Sequence, residues 1–328
     1  MRILLIVFLF IIQQSIVYSQ SSHKEVLLLM GTRFELTAIA NNKSVAENAV
    51  QKGIEEIQRI ENLISSWKID SQTSQINKNA GIKPVIVDQE LFKLIERSIK
   101  ISTLTNGAFD ISFASIDQLY VFDKTERSLP SKEECIESVA KINFNNIILN
   151  QEKSSVYLNQ KGMKIGFGGI GKGYAANKAK QVMKNISGVT GGVVNASGDL
   201  ITWSDNNEGK GWPVQISDPK NIEESLGWLN IHNASIVTSG DYEKYFTNEG
   251  LRYAHIINPK TGLPTTGIKS VTIISPDAEI GDALATSIFV LGVEKGIALV
   301  NKLKNIESLV ITDDDKMHMS KNLKLNKY

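Results

Sequence analysis

The stretch KIGFGGIGKGYAANKAK, from Lys164 to Lys180, decides how this chain is built. Five of the eight positions 166–173 are glycine, which would carry a heavy entropic cost inside an ordinary helix or strand. Residues 163–165 have an extended pattern, whereas Ala175 and Ala179 recur at helical spacing. The sequence therefore predicts a turn from a strand into a helix, with another group close to its backbone. Unpaired N–H groups at such a helix start suit a phosphate or a pyrophosphate.

Two nucleotide-binding patterns fit these glycines in part. Gly166, Gly168 and Gly171 match G-x-G-x-x-G, but the acidic residue that a dinucleotide fold needs about twenty positions later is missing. Positions 166–172 also match the start of a P-loop, but Gly173 replaces the hydroxyl residue that would hold a metal ion. The ligands of a metal-bound phosphate would then have to come from elsewhere in the chain. A glycine turn that serves only tight packing is the alternative.

Composition indicates a soluble globular protein without a polyanionic partner. The chain has 328 residues, of which 42% are hydrophobic and 22% are charged. Its 36 Lys and Arg residues balance 35 Asp and Glu residues, so no net field would attract nucleic acid. Cys135 is the only cysteine and forms no internal disulfide.

The N-terminus has the pattern of a secretory signal. Arg2 precedes the apolar run from Ile3 to Ile12, and small residues near Ser19 suit a cleavage site. We therefore expect residues 1–19 to be a signal peptide and residues 20–328 to be an exported, periplasmic or extracytoplasmic protein without a stable membrane span. A retained anchor or a buried N-terminal helix is the alternative.

Strands and helices alternate to the end of the chain without a change in composition. This predicts a single α+β domain with mixed sheets and packed helices. The clearest helices are Ala46 to Ile64, which has an apolar face, and Asp277 to Leu291.

The second of these helices carries a candidate metal site. Asp282 and Thr286 are four residues apart, so both side chains would project from one helix face. A carboxylate and a hydroxyl are hard oxygen ligands of the kind that Mg²⁺ prefers. Alternatively, Thr286 bonds to its own helix while Asp282 is exposed.

Two further residues are candidates for ligand contact. Trp67 stands alone in the polar segment 65–79, where it would act as a lid over a flat group or as a core residue. Asp110 follows the helix end at Asn106 and Gly107, where it would bind a ribose, a base or a metal, or cap the next turn.

Together these motifs resemble the ApbE family, which comprises exported flavin transferases that move FMN from FAD onto a threonine or serine of a target protein. The matching stretches occur in the family's order and are MGTRFEL (residues 30–36), SSWKIDSQTSQIN (65–77), GAFD (107–110), GGIGKGYA (168–175), VVNASGDL (193–200), TSGDYE (238–243), HIINPKTGLP (255–264) and DALAT (282–286).

The resemblance implies a role for each group of candidate residues. The glycine turn would hold the FAD pyrophosphate beside Lys172, and Mg²⁺ would bind the carbonyl of Gly169, Asp282 and Thr286. The FAD-binding residues would be Met30, Trp67, Ala108, Phe109, Asp110, Gly166, Lys172 and the backbone at Ile256.

The chain departs from the family pattern around the dinucleotide pocket. Gly166 stands where the family usually has an aspartate, and Trp67 stands where it usually has a tyrosine that can also stack. Ile69, Gln72 and Ile111 replace the usual proline, glutamate and proline.

The expected reaction is attack of an acceptor hydroxyl on the FMN-side phosphorus of FAD, with release of AMP. The catalytic candidates are Lys172 and Asp282, which with Mg²⁺ would neutralise developing charge, and His255, which would accept the hydroxyl's proton. A purely structural His255 is the alternative. Rival functions are an FAD pyrophosphatase, in which water replaces the hydroxyl, and a flavin-binding protein that has lost catalysis.

Overall fold

A computed structural model describes residues 20–116, 119–204, 206, 211–219, 221–241 and 244–326. The expected signal peptide, residues 1–19, lies outside the described residues, so export of the protein stays a prediction. Within the described ranges, the helices are all too short or too polar to cross a lipid bilayer.

The described chain forms seven α-helices and fifteen strands. The α-helices are α1 (Lys43–Ile64), α2 (Gln72–Lys78), α3 (Gln89–Leu104), α4 (Lys132–Ser138), α5 (Gly171–Lys184), α6 (Ala278–Leu291) and α7 (Val293–Val300). The strands are β1 (Ser21–Leu29), β2 (Thr32–Ala40), β3 (Val85–Ile86), β4 (Ile147–Asn150), β5 (Ser155–Leu158), β6 (Val189–Ala196), β7 (Asp199–Trp203), β8 (Trp212–Asp218), β9 (Asn221–Ile231), β10 (Ser235–Gly240), β11 (Tyr245–Asn248), β12 (Leu251–Ala254), β13 (Ile268–Ser275), β14 (Glu307–Thr312) and β15 (Met317–Met319).

The main sheet has eight strands in the order β1-β2-β6-β7-β10-β13-β14-β15. All neighbouring strands in it are antiparallel. Three small sheets, β3-β5-β4, β8-β9 and β11-β12, flank it. The predicted α+β class is therefore confirmed, and its strands and helices form one domain.

The two faces of the main sheet are covered by different elements. Helices α1, α5, α6 and α7 pack along one face, where Val237 and Val310 belong to the large core. Their strand neighbours Ile236 and Leu309 point to the opposite face, because side chains alternate along a strand. There they join a smaller apolar cluster with β8 and β9.

Helix α1 follows the predicted pattern closely. Its apolar residues recur at helical spacing and are buried, among them Val50, Ile57 and Ile60. The helix begins earlier than the predicted Ala46, because the side chain of Asn42 accepts a hydrogen bond from the N–H of Val45 and caps it.

The glycine-rich stretch differs in one respect from its prediction. Residues 163–165 are extended but form no strand; the preceding strand, β5, ends at Leu158. Helix α5 does begin at Gly171, within the glycines. A Cβ atom at Gly173 would lie only 2.1 Å from the carbonyl oxygen of Ala278, so this glycine lets α5 and α6 approach closely. Part of the glycine run therefore serves packing between helices.

Candidate active site

A cavity of about 560 Å³ opens at one end of the main sheet, near the β1–β2 turn, the β6–β7 turn and the start of α5. Cavities of this size commonly hold organic cofactors. Most of the predicted site residues line it, although they come from segments far apart in sequence. These residues are Trp67, Ala108, Phe109, Asp110, Gly166, Gly169, Lys172, His255, Ile256, Asp282 and Thr286.

Met30 is the predicted site residue that does not line this cavity. It occupies the β1–β2 turn with a positive φ of 50°, and its N–H donates to a carboxylate oxygen of Glu61 at 3.2 Å. Its methyl group lies 3.7 Å from the position of a Cβ at Gly171. Met30 therefore packs beside the start of α5, next to the cavity wall.

The glycine turn and α6 meet at the cavity, as the metal-site hypothesis requires. A Cβ atom at Gly169 would lie 3.1 Å from the hydroxyl oxygen of Thr286, so that backbone and that hydroxyl are close neighbours. One helical turn away, Asp282 is buried and accepts a hydrogen bond of 3.2 Å from the N–H of Gly173. The alternative of an exposed Asp282 is thus wrong, because the close packing of α5 on α6 covers this side chain.

This hydrogen bond also changes the expected role of the helix start. The N–H groups at the beginning of α5 were expected to face a pyrophosphate, but the N–H of Gly173 already donates to Asp282. The positive end of the α5 dipole therefore stabilises a carboxylate of the protein itself. Gly166, Gly168 and Gly169, which precede the helix, remain as the backbone that a ligand can approach.

A second buried carboxylate lies beside Asp282. Asp199, the first residue of β7, is 1% exposed and forms an ion pair with the ammonium group of Lys172. Burial and the nearby charge of Asp282 raise the pKa of Asp199 well above its ordinary value, although Lys172 opposes the shift. Burial likewise raises the pKa of Asp282. Both shifts reflect the cost of burying two neighbouring carboxylates beside one ammonium group.

The donor set suits a hard divalent cation. Two carboxylates, the Thr286 hydroxyl and the Gly169 carbonyl are all oxygen donors of the kind that Mg²⁺ binds. Oδ1 of Asp199 is a buried oxygen without a hydrogen-bond partner, so it has a free position for a further ligand. In the described part of the chain, no three His, Cys, Asp or Glu side chains form a metal cluster, so such an ion would depend on the hydroxyl and carbonyl donors as well.

Trp67 lies at the rim of the cavity and is not a core residue. Its side chain is 88% exposed, although the loop that carries it is anchored by the hydroxyl of Ser65, which accepts from the N–H of Trp67 and of Lys68. An exposed indole ring on an anchored loop is suited to stacking on a flat ring system.

Asp110 acts as a helix cap in this structure. One of its oxygens accepts from the N–H and the hydroxyl of Ser112 and so caps the 3₁₀ turn Ile111–Ser115. The other accepts from the N–H of Phe144 at 2.9 Å. Burial raises its pKa, and these hydrogen bonds oppose the shift. Of the two roles predicted from the sequence, the structure therefore shows capping, at the cavity wall.

His255 and Ile256 follow β12 on the opposite wall. The N–H of His255 donates to the carbonyl of Lys244 at 3.0 Å, and its ring meets Phe122 edge to face. The carbonyl of Ile256 accepts from the N–H of Thr265 at 2.8 Å. Both residues are thus held by backbone hydrogen bonds, with the imidazole at the cavity.

Sequence reasoning assigned no role to several residues of the site. Asp199 is the most important of them, because it bonds Lys172 and acts on Asp282. Its signal was present, since an acidic residue opens the apolar strand DLITW directly after a polar turn. The other residues, Ser66, Ser197 and 238–240, line the cavity itself.

These features define an α+β protein with a cofactor-sized cavity. On one wall of this cavity, the glycine backbone before α5 lies beside Asp282 and Thr286 of α6. The chain belongs to the ApbE family, whose model matches residues 30–310.

Relatives with assigned activities cover nearly the whole chain. An FAD:protein FMN transferase of Klebsiella pneumoniae is 30% identical over 298 residues, which cover 90% of this chain and 89% of the relative. One of Treponema pallidum is 30% identical over 290 residues, with 83% and 80% covered.

Solved structures share the fold. The ApbE protein of Thermotoga maritima superposes with a TM-score of 0.81 at 27% identity, over 92% of this chain and 97% of that chain. The apo flavinyl transferase ApbE of Pseudomonas stutzeri gives a TM-score of 0.81 at 21% identity, over 93% and 96%, which shows the common fold.

Proposed function

We propose that this protein transfers FMN from FAD to a threonine or serine hydroxyl of an acceptor protein, with Mg²⁺, and releases AMP. The observation that supports this most is the meeting of Asp282 and Thr286 with the glycine turn inside a cofactor-sized cavity. The relatives named FAD:protein FMN transferase supply the identity of the flavin nucleotide.

The proposed step replaces the phosphoanhydride bond of FAD with a phosphodiester bond to the acceptor. The acceptor oxygen forms a bond to the FMN-side phosphorus, the bond from that phosphorus to the bridging oxygen breaks, and AMP leaves with the bridging oxygen. We assign the hydroxyl's proton to Nε2 of His255, because this imidazole lines the cavity while its Nδ1 is buried.

Groups on the cavity wall formed by α5 and α6 would neutralise the negative charge of the pyrophosphate. Lys172 lines the cavity with its ammonium group held by Asp199, so it presents a fixed positive charge. Gly169, Asp282 and Thr286 would hold Mg²⁺, which when bound would neutralise negative charge on the phosphate oxygens. Trp67 would stack on a ring of the FAD.

The test is a covalent labelling assay. The purified protein is mixed with FAD, Mg²⁺ and a candidate acceptor, and we expect flavin fluorescence on the acceptor band after denaturing electrophoresis, with AMP in solution. Asp282→Asn should lower the labelling rate by about a hundredfold or more, because a charged ligand of the metal is lost.

Glu279→Gln is the matched control, because Glu279 is a buried acid one turn earlier on α6 that pairs with Arg97 and does not line the cavity. We expect it to label at nearly the wild-type rate. Release of FMN and AMP with no labelled acceptor would replace the transferase with a pyrophosphatase. Tight FAD binding without AMP release would indicate a flavin-binding protein, and either result would overturn the proposal.

A further inference from the structure

Asp199 has a buried oxygen whose environment no protein group satisfies. The residue is 1% exposed, and its Oδ2 accepts a hydrogen bond from the ammonium group of Lys172. Its other oxygen, Oδ1, is buried without a hydrogen-bond partner. An unsatisfied buried acceptor costs about 1–3 kcal/mol, and more when it is charged. Such an oxygen is expected to have a partner that the protein chain does not supply.

The surroundings of Asp199 identify the charge of that partner. Asp282 is buried beside it and accepts a hydrogen bond from the N–H of Gly173, the residue that follows Lys172. Lys172 pairs with Asp199. A buried carboxyl oxygen near a second carboxylate is stabilised by a positive group placed between them. The missing partner is therefore a cation.

The position of the pair specifies the kind of cation. Asp282 lies one helical turn from Thr286, whose hydroxyl oxygen is close to the backbone of Gly169. A cation near Asp199 and Asp282 would thus find further oxygen donors on the same wall of the cavity, and an all-oxygen set favours Mg²⁺ or Mn²⁺.

We infer that Asp199 supplies a second carboxylate to the divalent-cation site through Oδ1, an inference that rests on the proposed function. Its Oδ2 holds Lys172 at the same time, so one side chain couples the cation to the positive residue of the cavity wall. The start of β7 is then as much a part of the metal site as α6 is.

A competing explanation is that Asp199 only positions Lys172. The two explanations predict different effects of Asp199→Asn on the affinity for the cation. If Asp199 binds the cation, the affinity falls because a charged ligand is lost, whereas Lys172→Met leaves both carboxylates available and does not weaken it. If Asp199 serves Lys172 alone, Asp199→Asn leaves the affinity for the cation unchanged.

The experiment measures metal affinity directly, without catalysis. Mn²⁺ is titrated into the purified protein in the absence of FAD, with free Mn²⁺ followed by electron paramagnetic resonance, and Mg²⁺ is measured by calorimetry. We expect Asp199→Asn to weaken both affinities by about tenfold to a hundredfold. Asp241→Asn is the matched control, because Asp241 is also a buried aspartate paired with a basic residue, Arg252, but lies outside the proposed set of oxygen donors. It should bind both ions with the wild-type affinity.

Thermal unfolding tests whether the variants keep the wild-type fold. In the absence of metal, a cooperative thermal transition of Asp199→Asn would show that this variant keeps its fold. Added Mg²⁺ should then raise its unfolding temperature less than that of the wild type. Asp199→Ser provides a second variant with the same expected pattern.

The outcomes separate this inference from the proposed function. Wild-type metal affinity in Asp199→Asn, together with its loss in Asp282→Asn, would overturn the role of Asp199 and leave the proposed function intact. A wild-type protein that binds neither Mn²⁺ nor Mg²⁺ with measurable affinity would overturn both.

Discussion

His255 is the residue on which the proposed proton transfer depends. We expect His255→Gln to lower the rate of acceptor labelling by about a hundredfold to ten-thousandfold, because general-base catalysis would be lost. The affinity for FAD, measured by quenching of flavin fluorescence, should change little. The pH profile of labelling should differ between the wild type and the variant, because the imidazole no longer takes part in the proton transfer.

His232→Gln is a matched control, since His232 does not line the cavity. If His255→Gln labels the acceptor at the wild-type rate and keeps the wild-type pH profile, His255 is structural, and another group must accept the proton.

Single residues also show where sequence reasoning succeeds and where it fails. Asp282 and Thr286 could be paired in advance because helical spacing alone places them on one face. Asp199 could not, because its contact with Lys172 joins a strand to a helix 27 residues earlier and depends on tertiary packing. The capping role of Asp110 could be stated only as one of two possibilities, since its partner Phe144 is 34 residues away.

Helix α6 is the element that carries the proposed metal ligands, and its first turn is fixed by Asp277. The carboxylate of this residue accepts hydrogen bonds from the N–H of Ile280 at 3.1 Å and from the side chain of Asn177 on α5 at 2.8 Å. Asp277→Ala should lower the free energy of unfolding by about 1–2 kcal/mol, as loss of an N-cap commonly does. Urea denaturation followed by circular dichroism measures this.

Asp277→Asn is the control for that measurement, because asparagine caps helices about as well as aspartate. It should unfold close to the wild type. Equal losses in the alanine and asparagine variants would mean that the charge of Asp277, and not its capping hydrogen bond, stabilises the start of α6.

The elements themselves were largely predictable, for a definite reason. Helices such as α1 bury one face of a regular repeat, so their sequences carry a periodic signal. Residues 163–165 have the apolar character of a strand, but they pair with no neighbour: the backbone N–H and carbonyl of Ile165 bond to the side chain of Asn77. Whether an extended segment joins a sheet depends on such distant partners.

At the scale of the whole molecule, the hairpin β11-β12 is tied to the main sheet by a buried ion pair. Asp241, just after β10, accepts a hydrogen bond of 3.1 Å from Arg252 in β12. Burial raises the pKa of Asp241 to about 6, although Arg252 opposes the shift. The folded protein therefore binds this proton more tightly than the unfolded chain does.

This shift predicts a pH dependence of stability. The stabilisation from protonated Asp241 is complete below the unfolded pKa near 4 and is lost as the pH rises through about 6. Relative to Asp241→Asn, the wild type should therefore lose free energy of unfolding, on the order of 2 kcal/mol, between about pH 4 and pH 7. Urea denaturation of both proteins across this range measures the difference. A difference that stays constant with pH would show that the pKa of Asp241 is the same in the folded and the unfolded protein.

The cavity wall draws on segments from Thr32 to Val290, with the glycine turn near the middle. A nascent chain emerging from the ribosome therefore has no complete nucleotide pocket until α6 has been synthesised, and neither half of the polypeptide contains one by itself. A flavin nucleotide can therefore bind only after the final third of the chain has been synthesised and has folded against the first third.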